Sequence, residues 1–144
     1  MNFKAPDKWR AIESLVDVLV ERGRCKKAHR KPVLDALVSR EQIASTGMEH
    51  GVALPHASVQ ILEEPVAALG ISPAGIQFQS ADGKPAKLIM LLAIPKRNVQ
   101  MHVRTLAGVA RLMNYEEMRS ALLGARTPDE VVKIIRHEEE KELV

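Results

Sequence analysis

Cysteine is almost absent: Cys25 stands alone in 144 residues. One thiol builds no intrachain disulfide framework and no CxxC zinc site. Aromatic residues make up 3% of the chain, and none interleaves a basic stretch in the way that base-stacking surfaces require. Long apolar runs are missing as well. The strongest, Leu88 to Ile94 (LIMLLAI), has seven residues, against the roughly 20 of a membrane-spanning helix. The opening MNFKAPDKWR does not read as a signal peptide. The expectation is a soluble cytoplasmic domain with no membrane insertion. Neither sign of charge dominates: 21 Lys and Arg face 18 Asp and Glu, for a net charge of +3. A dedicated nucleic-acid binder carries a stronger excess. No internal repeat or low-complexity linker is present. What is there, 46% hydrophobic and 27% charged residues, suits one globular domain with a sizeable core.

The pattern along the chain predicts helices on both sides of a group of strands. Asp7 is placed to cap a first helix whose buried stripe is Ile12, Leu15, Val16, Leu19 and Val20, stopped by Gly23. Pro32 opens a second, burying Val33, Leu34, Leu37 and Val38 and ending before the turn signal Ser45-Thr46-Gly47. Three apolar segments then read as strands: Val52 to Leu54, Val66 to Ile71 and Leu88 to Ile94. Asp82-Gly83 marks a tight turn before the last of them. Helical spacing returns with Val99, Val103, Leu106, Ala110 and Met113, then with Met118 and Leu122. Thr127-Pro128-Asp129-Glu130 predicts a capping box ahead of Val131, Val132, Ile134 and Ile135. The expected fold is α/β: a single layered domain with a mixed β-sheet of about four to five strands flanked by helices.

Chemistry concentrates in one stretch. Arg40-Glu41, Ser45-Thr46-Gly47 and Gly51-Val52-Ala53-Leu54-Pro55-His56 follow in close order. Pro55 fixes its own backbone and pushes Leu54 towards an extended conformation. His56 is therefore expected on a stiff support at the end of a short strand. Gly47 and Gly51 permit tight turns before it. Arg40, Ser45 and Thr46 add a cation and two hydroxyls. Such groups suit a transferring phosphoryl group, which needs positive charge and donors.

On these residues the sequence resembles enzyme IIA domains of the bacterial phosphoenolpyruvate-dependent phosphotransferase system, of the fructose/mannitol type. That type includes the nitrogen-regulatory IIA proteins. The shared pattern is RE, ST, G, then G-[VI]-A-x-P-H, here ending at His56. A histidine opening the helix after the last apolar strand is a second family feature, and His102 takes that place. The likeness runs from about Trp9 to Arg136 in the order of elements, and a single IIA-type domain over residues 1–144 is expected. It implies that Nε2 of His56 accepts a phosphoryl group from the phosphocarrier HPr or its nitrogen-branch relative. It implies that His102 steadies the phosphoryl group or the His56 ring, and that Arg40 neutralises developing charge. Ser45 and Thr46 become candidate phosphate donors. The group then passes to a IIB domain or serves as a regulatory signal on a protein target. No metal or organic cofactor is implied, and no cysteine phosphocarrier motif is evident, so the group is expected on histidine. Three positions depart from the pattern. The strand that usually precedes the first helix is shortened or missing. His50 stands where some relatives carry an acid and others an amide, and would add positive charge near the phosphate if protonated. Val103 replaces a common leucine.

Other readings remain beside this one. A IIA-like non-catalytic regulatory module of a transporter or transcription factor is the alternative of a different class. A metal site of His50, His56 and His102 is conceivable but has no HExxH-type spacing behind it. The basic run Arg22, Arg24, Lys26, Lys27, Arg30 and Lys31 could dock an acidic partner, but reads first as a solvated loop, and no nucleic acid is expected. Cys25, set among those cations, could be acidified by them; an inert thiol is the plainer reading. His29 and His137 read as solvent-facing residues.

Overall fold

Asp7 starts the first helix as its side chain predicts. In the computed structural model its carboxylate accepts the Arg10 N–H at 2.9 Å and opens α1, Lys8–Glu21. The structure describes residues 3–96 and 99–142, with the side chains of 99, 101, 102 and 138–142 outside that description. Helix α1 ends at Gly23, whose φ of 72° only glycine adopts without strain. Gly23 N–H donates to Val20 O and Arg24 N–H to Leu19 O, which satisfies two carbonyls at the helix end. A 3₁₀ turn over Lys27–His29 leads into α2, Arg30–Ile43. The helix begins two residues before Pro32. Proline is tolerated there because the first turn has no partner for its N–H groups.

Four strands follow: β1, Val52–Ala53; β2, His56–Val59; β3, Val66–Ile76; and β4, Ala86–Pro95. The sheet is mixed. β1 and β2 both run parallel to β4, in one register: Val52 opposite Leu88, His56 opposite Leu92. They are two pieces of a single strand, broken at Leu54-Pro55. β3 pairs antiparallel with β4 on its other side. Ahead of α1, Phe3 N–H donates to Ile71 O at 2.9 Å, one backbone bond where a further strand would form a ladder. Strand β3 outruns its expected end at Pro73. It passes the proline through an irregularity between Ile71 and Ile76, at a sheet edge where a missing N–H is tolerated.

The alternation along β4 explains its unbroken apolar run. Ile89, Leu91 and Ala93 face one core with α1 and α2; Leu88, Met90, Leu92 and Ile94 face a second. That second core holds Leu112 and Met113 of α3 (Val99–Met113), Met118 and Leu122 of α4 (Glu116–Gly124) and Val131 of α5 (Pro128–Glu142). At the start of α5 the Thr127 hydroxyl accepts the Glu130 N–H. The Glu130 carboxylate reaches back to the Arg126 N–H, one residue beyond the expected partner.

Candidate functional site

Helix α2 and strand β2 pack directly against each other. Ala36, Ser39, Arg40 and Ile43 recur at helical spacing on α2, and they meet His56, Ala57 and Ser58 around a surface depression of about 460 Å³. Ile43 is 82% exposed on its rim. The rotation of the helix decides what faces where. Val33, Leu37 and Glu41, four residues apart, form the buried stripe of α2, while Arg40 turns towards the depression.

His56 opens β2 directly after Pro55 and is half-buried. Its Nδ1 lies 2.7 Å from the carbonyl oxygen of Leu54. A carbonyl can only accept, so Nδ1–H is the donor. In the neutral ring, Nε2 then carries the lone pair. Pro55 O in turn accepts the Leu92 N–H at 2.9 Å, which ties the break between β1 and β2 to the central strand. The ring is thus held by backbone fixed in the sheet. Arg40 donates from Nη1 to Ala44 O at 2.9 Å and lines the same depression.

Ser45 and Thr46 are not among the residues that line the depression. The Thr46 hydroxyl is buried and donates to Glu41 Oε2 at 2.6 Å; the Thr46 N–H donates to Glu41 Oε1 at 3.0 Å. The Ser45 hydroxyl donates to Phe78 O and accepts the Gly47 N–H. Both side chains face inward, not among the residues that line the depression. Gly47 is needed at this turn for its size: a Cβ there would stand 2.7 Å from Ser80 Cα. His102 falls in the first turn of α3, and its side chain lies outside the described residues. Val99 and its expected core role lie outside them too.

The expectation that His50 adds charge beside the phosphate is corrected by the strand direction. His50 sits at the corner before β1, at φ 65°, with its N–H donated to Asp82. Gly51 O accepts from Lys87 and Leu88 at the start of β4, whereas His56 pairs with Leu92. The strand rises about 16 Å from Gly51 to His56, and His50 lies at the corner before it, so His50 and His56 do not share one metal. No group of three or more potential metal-binding acids, histidines or cysteines gathers among the described residues. Asp82, which also accepts the Lys84 N–H, is held below the usual carboxylate range by these backbone donors. Burial pushes the Cys25 thiol up, opposite to the acidifying effect its basic neighbours could have had. Of the basic run, Arg30 bonds to Asp17 and Lys31 to Asp35. Arg22, Arg24, Lys26 and Lys27 are exposed, at the far end of α2 from Arg40, about 20 Å away by helix rise.

Sequence reasoning missed Glu41 as a core residue. The signal was present: Val33, Leu37 and Glu41 are spaced i, i+4, i+8, and Lys8 heads the buried stripe of α1 in the same way. It also missed Ser39, Ser58 and Ile43 around the depression. Their alternation with Arg40 and His56 on one helix and one strand was legible, but the pairing of α2 with β2 was not.

A half-buried histidine with its ring held by backbone thus shares a shallow depression with an arginine, on a mixed α/β sheet. Residues 1–138 match the family described as "Phosphoenolpyruvate-dependent sugar phosphotransferase system, EIIA 2", and the chain belongs to that family. The PTS system fructose-specific EIIA component of Haloferax volcanii is 35% identical over 125 residues, 87% of this chain and 80% of that protein. The fructose-specific EIIABC component of Bacillus subtilis is 32% identical over 94% of this chain, which spans 21% of that longer protein. Among solved structures, nitrogen regulatory protein IIA-Ntr from Neisseria meningitidis superposes with a TM-score of 0.81 at 26% identity, covering 92% of this chain and 88% of that one. The chain is an EIIA-type phosphoryl-carrier domain, and its partners are of the EIIA class, a phosphocarrier donor and a downstream target. No helix among the described residues is long and apolar enough to cross a membrane.

Proposed function

We propose that His56 is the phosphoryl acceptor of this domain and that Nε2 is the atom phosphorylated. The observation that carries the reading is the Nδ1 to Leu54 O contact of 2.7 Å. It keeps the proton on Nδ1 and leaves Nε2 as the nucleophile. As the new N–P bond forms and the donor's breaks, positive charge grows on the ring. The Leu54 carbonyl, already accepting from Nδ1–H, offsets that charge through a strengthening hydrogen bond. Arg40 faces the negative phosphoryl oxygens from the last turn of α2 and needs no covalent role. His102 acts beside His56 in this reading. Ser45 and Thr46, with hydroxyls spent on Phe78 and Glu41, serve by shaping the turn.

The donor is HPr or an HPr-like phosphocarrier of the nitrogen branch, and transfer runs in the cytoplasm within a single IIA domain over residues 1–144. The recipient in this reading is a IIB domain, which the likeness to two fructose-specific components supports. The likeness to IIA-Ntr favours a second reading, in which the phosphorylated state changes binding to a regulatory target. The test is direct. The protein, incubated with phosphoenolpyruvate, enzyme I and HPr, gains acid-labile phosphate detectable by intact mass. The His56→Ala variant gains none. Phosphate retained by that variant places the acceptor elsewhere. Offering the phosphorylated protein to IIB domains then separates relay from regulation.

A further inference from the structure

Arg40 braces itself on the Ala44 carbonyl, and Ala44 lies inside a short loop whose two ends are tied together. Glu41 forms one end. Its carboxylate, 3% exposed, accepts both the N–H and the hydroxyl of Thr46 at the other. Lys8 Nζ stands 3.4 Å from the same carboxylate and 3.0 Å from Gln79 Oε1. Three parts of the chain therefore meet on one buried acid, the first turn of α1, the last turn of α2 and the turn into β1, and Lys8 ties in a fourth, the segment at Gln79. An isolated carboxylate here would be costly, and an apolar residue at this stripe position would fill the space without that cost.

We propose that Glu41 is a positioning residue for phosphoryl transfer. Together with Thr46 and Lys8 it closes the loop over residues 41–46, fixes the Ala44 carbonyl, and so sets where the Arg40 guanidinium stands relative to His56. The inference rests on the carrier reading above. It gives the motif's paired Arg40-Glu41 and Ser45-Thr46 separate tasks: Arg40 meets the phosphoryl group, and Glu41 with Thr46 holds Arg40 in place. Misplacement of a charged group by a fraction of an ångström is enough to slow transfer without weakening donor docking.

The test compares Thr46→Val, Glu41→Gln and Thr46→Ser with the unaltered protein. Single-turnover phosphoryl uptake from phosphorylated HPr is measured across donor concentrations, with melting followed by circular dichroism. Thr46→Val lowers the saturated rate about ten-fold and leaves the half-saturating donor concentration within about two-fold. Thr46→Ser, which keeps the hydroxyl, recovers most of the rate. Glu41→Gln behaves as Thr46→Val or worse; if it does not fold, Thr46→Val carries the test. Because the loop acts through Arg40, the double variant Arg40→Ala/Thr46→Val is no slower than Arg40→Ala alone. A folded Thr46→Val protein with an unaltered saturated rate overturns the proposal, as do effects of Thr46→Val and Arg40→Ala that multiply. So does equal slowing by Val33→Ala, a core change on the same helix, at equal loss of melting temperature. Failure of the unaltered protein to take phosphate from HPr is a different result: it removes the carrier reading, and the positioning role with it.

Discussion

Arg40 and Glu41 are neighbours in sequence and opposites in the structure. Arg40 lines an open depression with His56; Glu41 is buried among core side chains and held by Thr46 and Lys8. The two side chains are separated by one step of about 100° around a helix. That step puts one side chain at the depression and the next into the scaffold. The same division runs through the whole motif. His56 belongs to the surface half, and Ser45, Thr46 and Gly47 belong to the buried half, where hydroxyls and close packing hold a turn.

Substitutions can break this comparison on either side, and the largest effect belongs to the surface. Arg40→Ala is expected to reduce the rate of phosphoryl uptake by roughly 100-fold, the scale of losing one charge-stabilising group in a transfer reaction. Its melting temperature should stay close to that of the unaltered protein, because among the described residues the side chain bonds a loop carbonyl and no core group. A rate within a few-fold of normal, measured by rapid quench, would sink the division of labour. On the buried side the order reverses. Glu41→Ala leaves Lys8 without its acid and Thr46 without its acceptor. It should cost about 3–5 kcal/mol of stability in denaturant titration, while Lys8→Met, which removes the charge and keeps an apolar stem, should cost less. Equal costs would mean that the ion pair and not the Thr46 bonds carries the site.

The smallest effect is expected at the far end of β4. Asp82 is exposed, and its backbone partners hold its carboxylate below the usual range. A carboxyl lowered in the folded state favours folding above its unfolded pKa, and that contribution is lost as pH falls through the lowered value. Asp82→Asn should therefore lower the melting temperature slightly at neutral pH, with the difference from the unaltered protein fading in acid. Phosphoryl uptake should not change, since this corner lies about 16 Å along the sheet from His56. A slowed transfer in Asp82→Asn would show that the two ends of β4 are coupled.

Much of the fold was legible because its signals are local. Asp7 and Gly23 bound α1 by chemistry that acts within a few residues, and the apolar run from Leu88 to Ile94 marks a strand covered on both faces. The strand starting at His56 was not legible. His56-Ala57-Ser58-Val59 has little apolar pattern, and it becomes a strand by pairing with Leu92 to Pro95. The extension of β3 past Pro73 was hidden for a similar reason: proline argues against a strand unless the edge position is known. His50 and His56 looked close in sequence, but His50 lies at the corner beside the start of β4, whereas His56 pairs with Leu92 further along it.

By itself, the sequence determined the ends of α1, the central strand, the family and the presence of a proline-supported histidine. Each follows from short-range constraints or from a motif read in order. The tertiary structure decided which side chains share a space. It placed Arg40 with His56 by packing α2 on β2, sent Ser45 and Thr46 inward, and gave Glu41 its partners. Those outcomes depend on contacts between residues far apart in the chain, from Lys8 to Glu41 and from Ser45 to Phe78, and no local pattern encodes them. The lone cysteine ends as a buried thiol whose pKa burial raises, and the proposed chemistry rests instead on an imidazole whose tautomer is set by one backbone carbonyl.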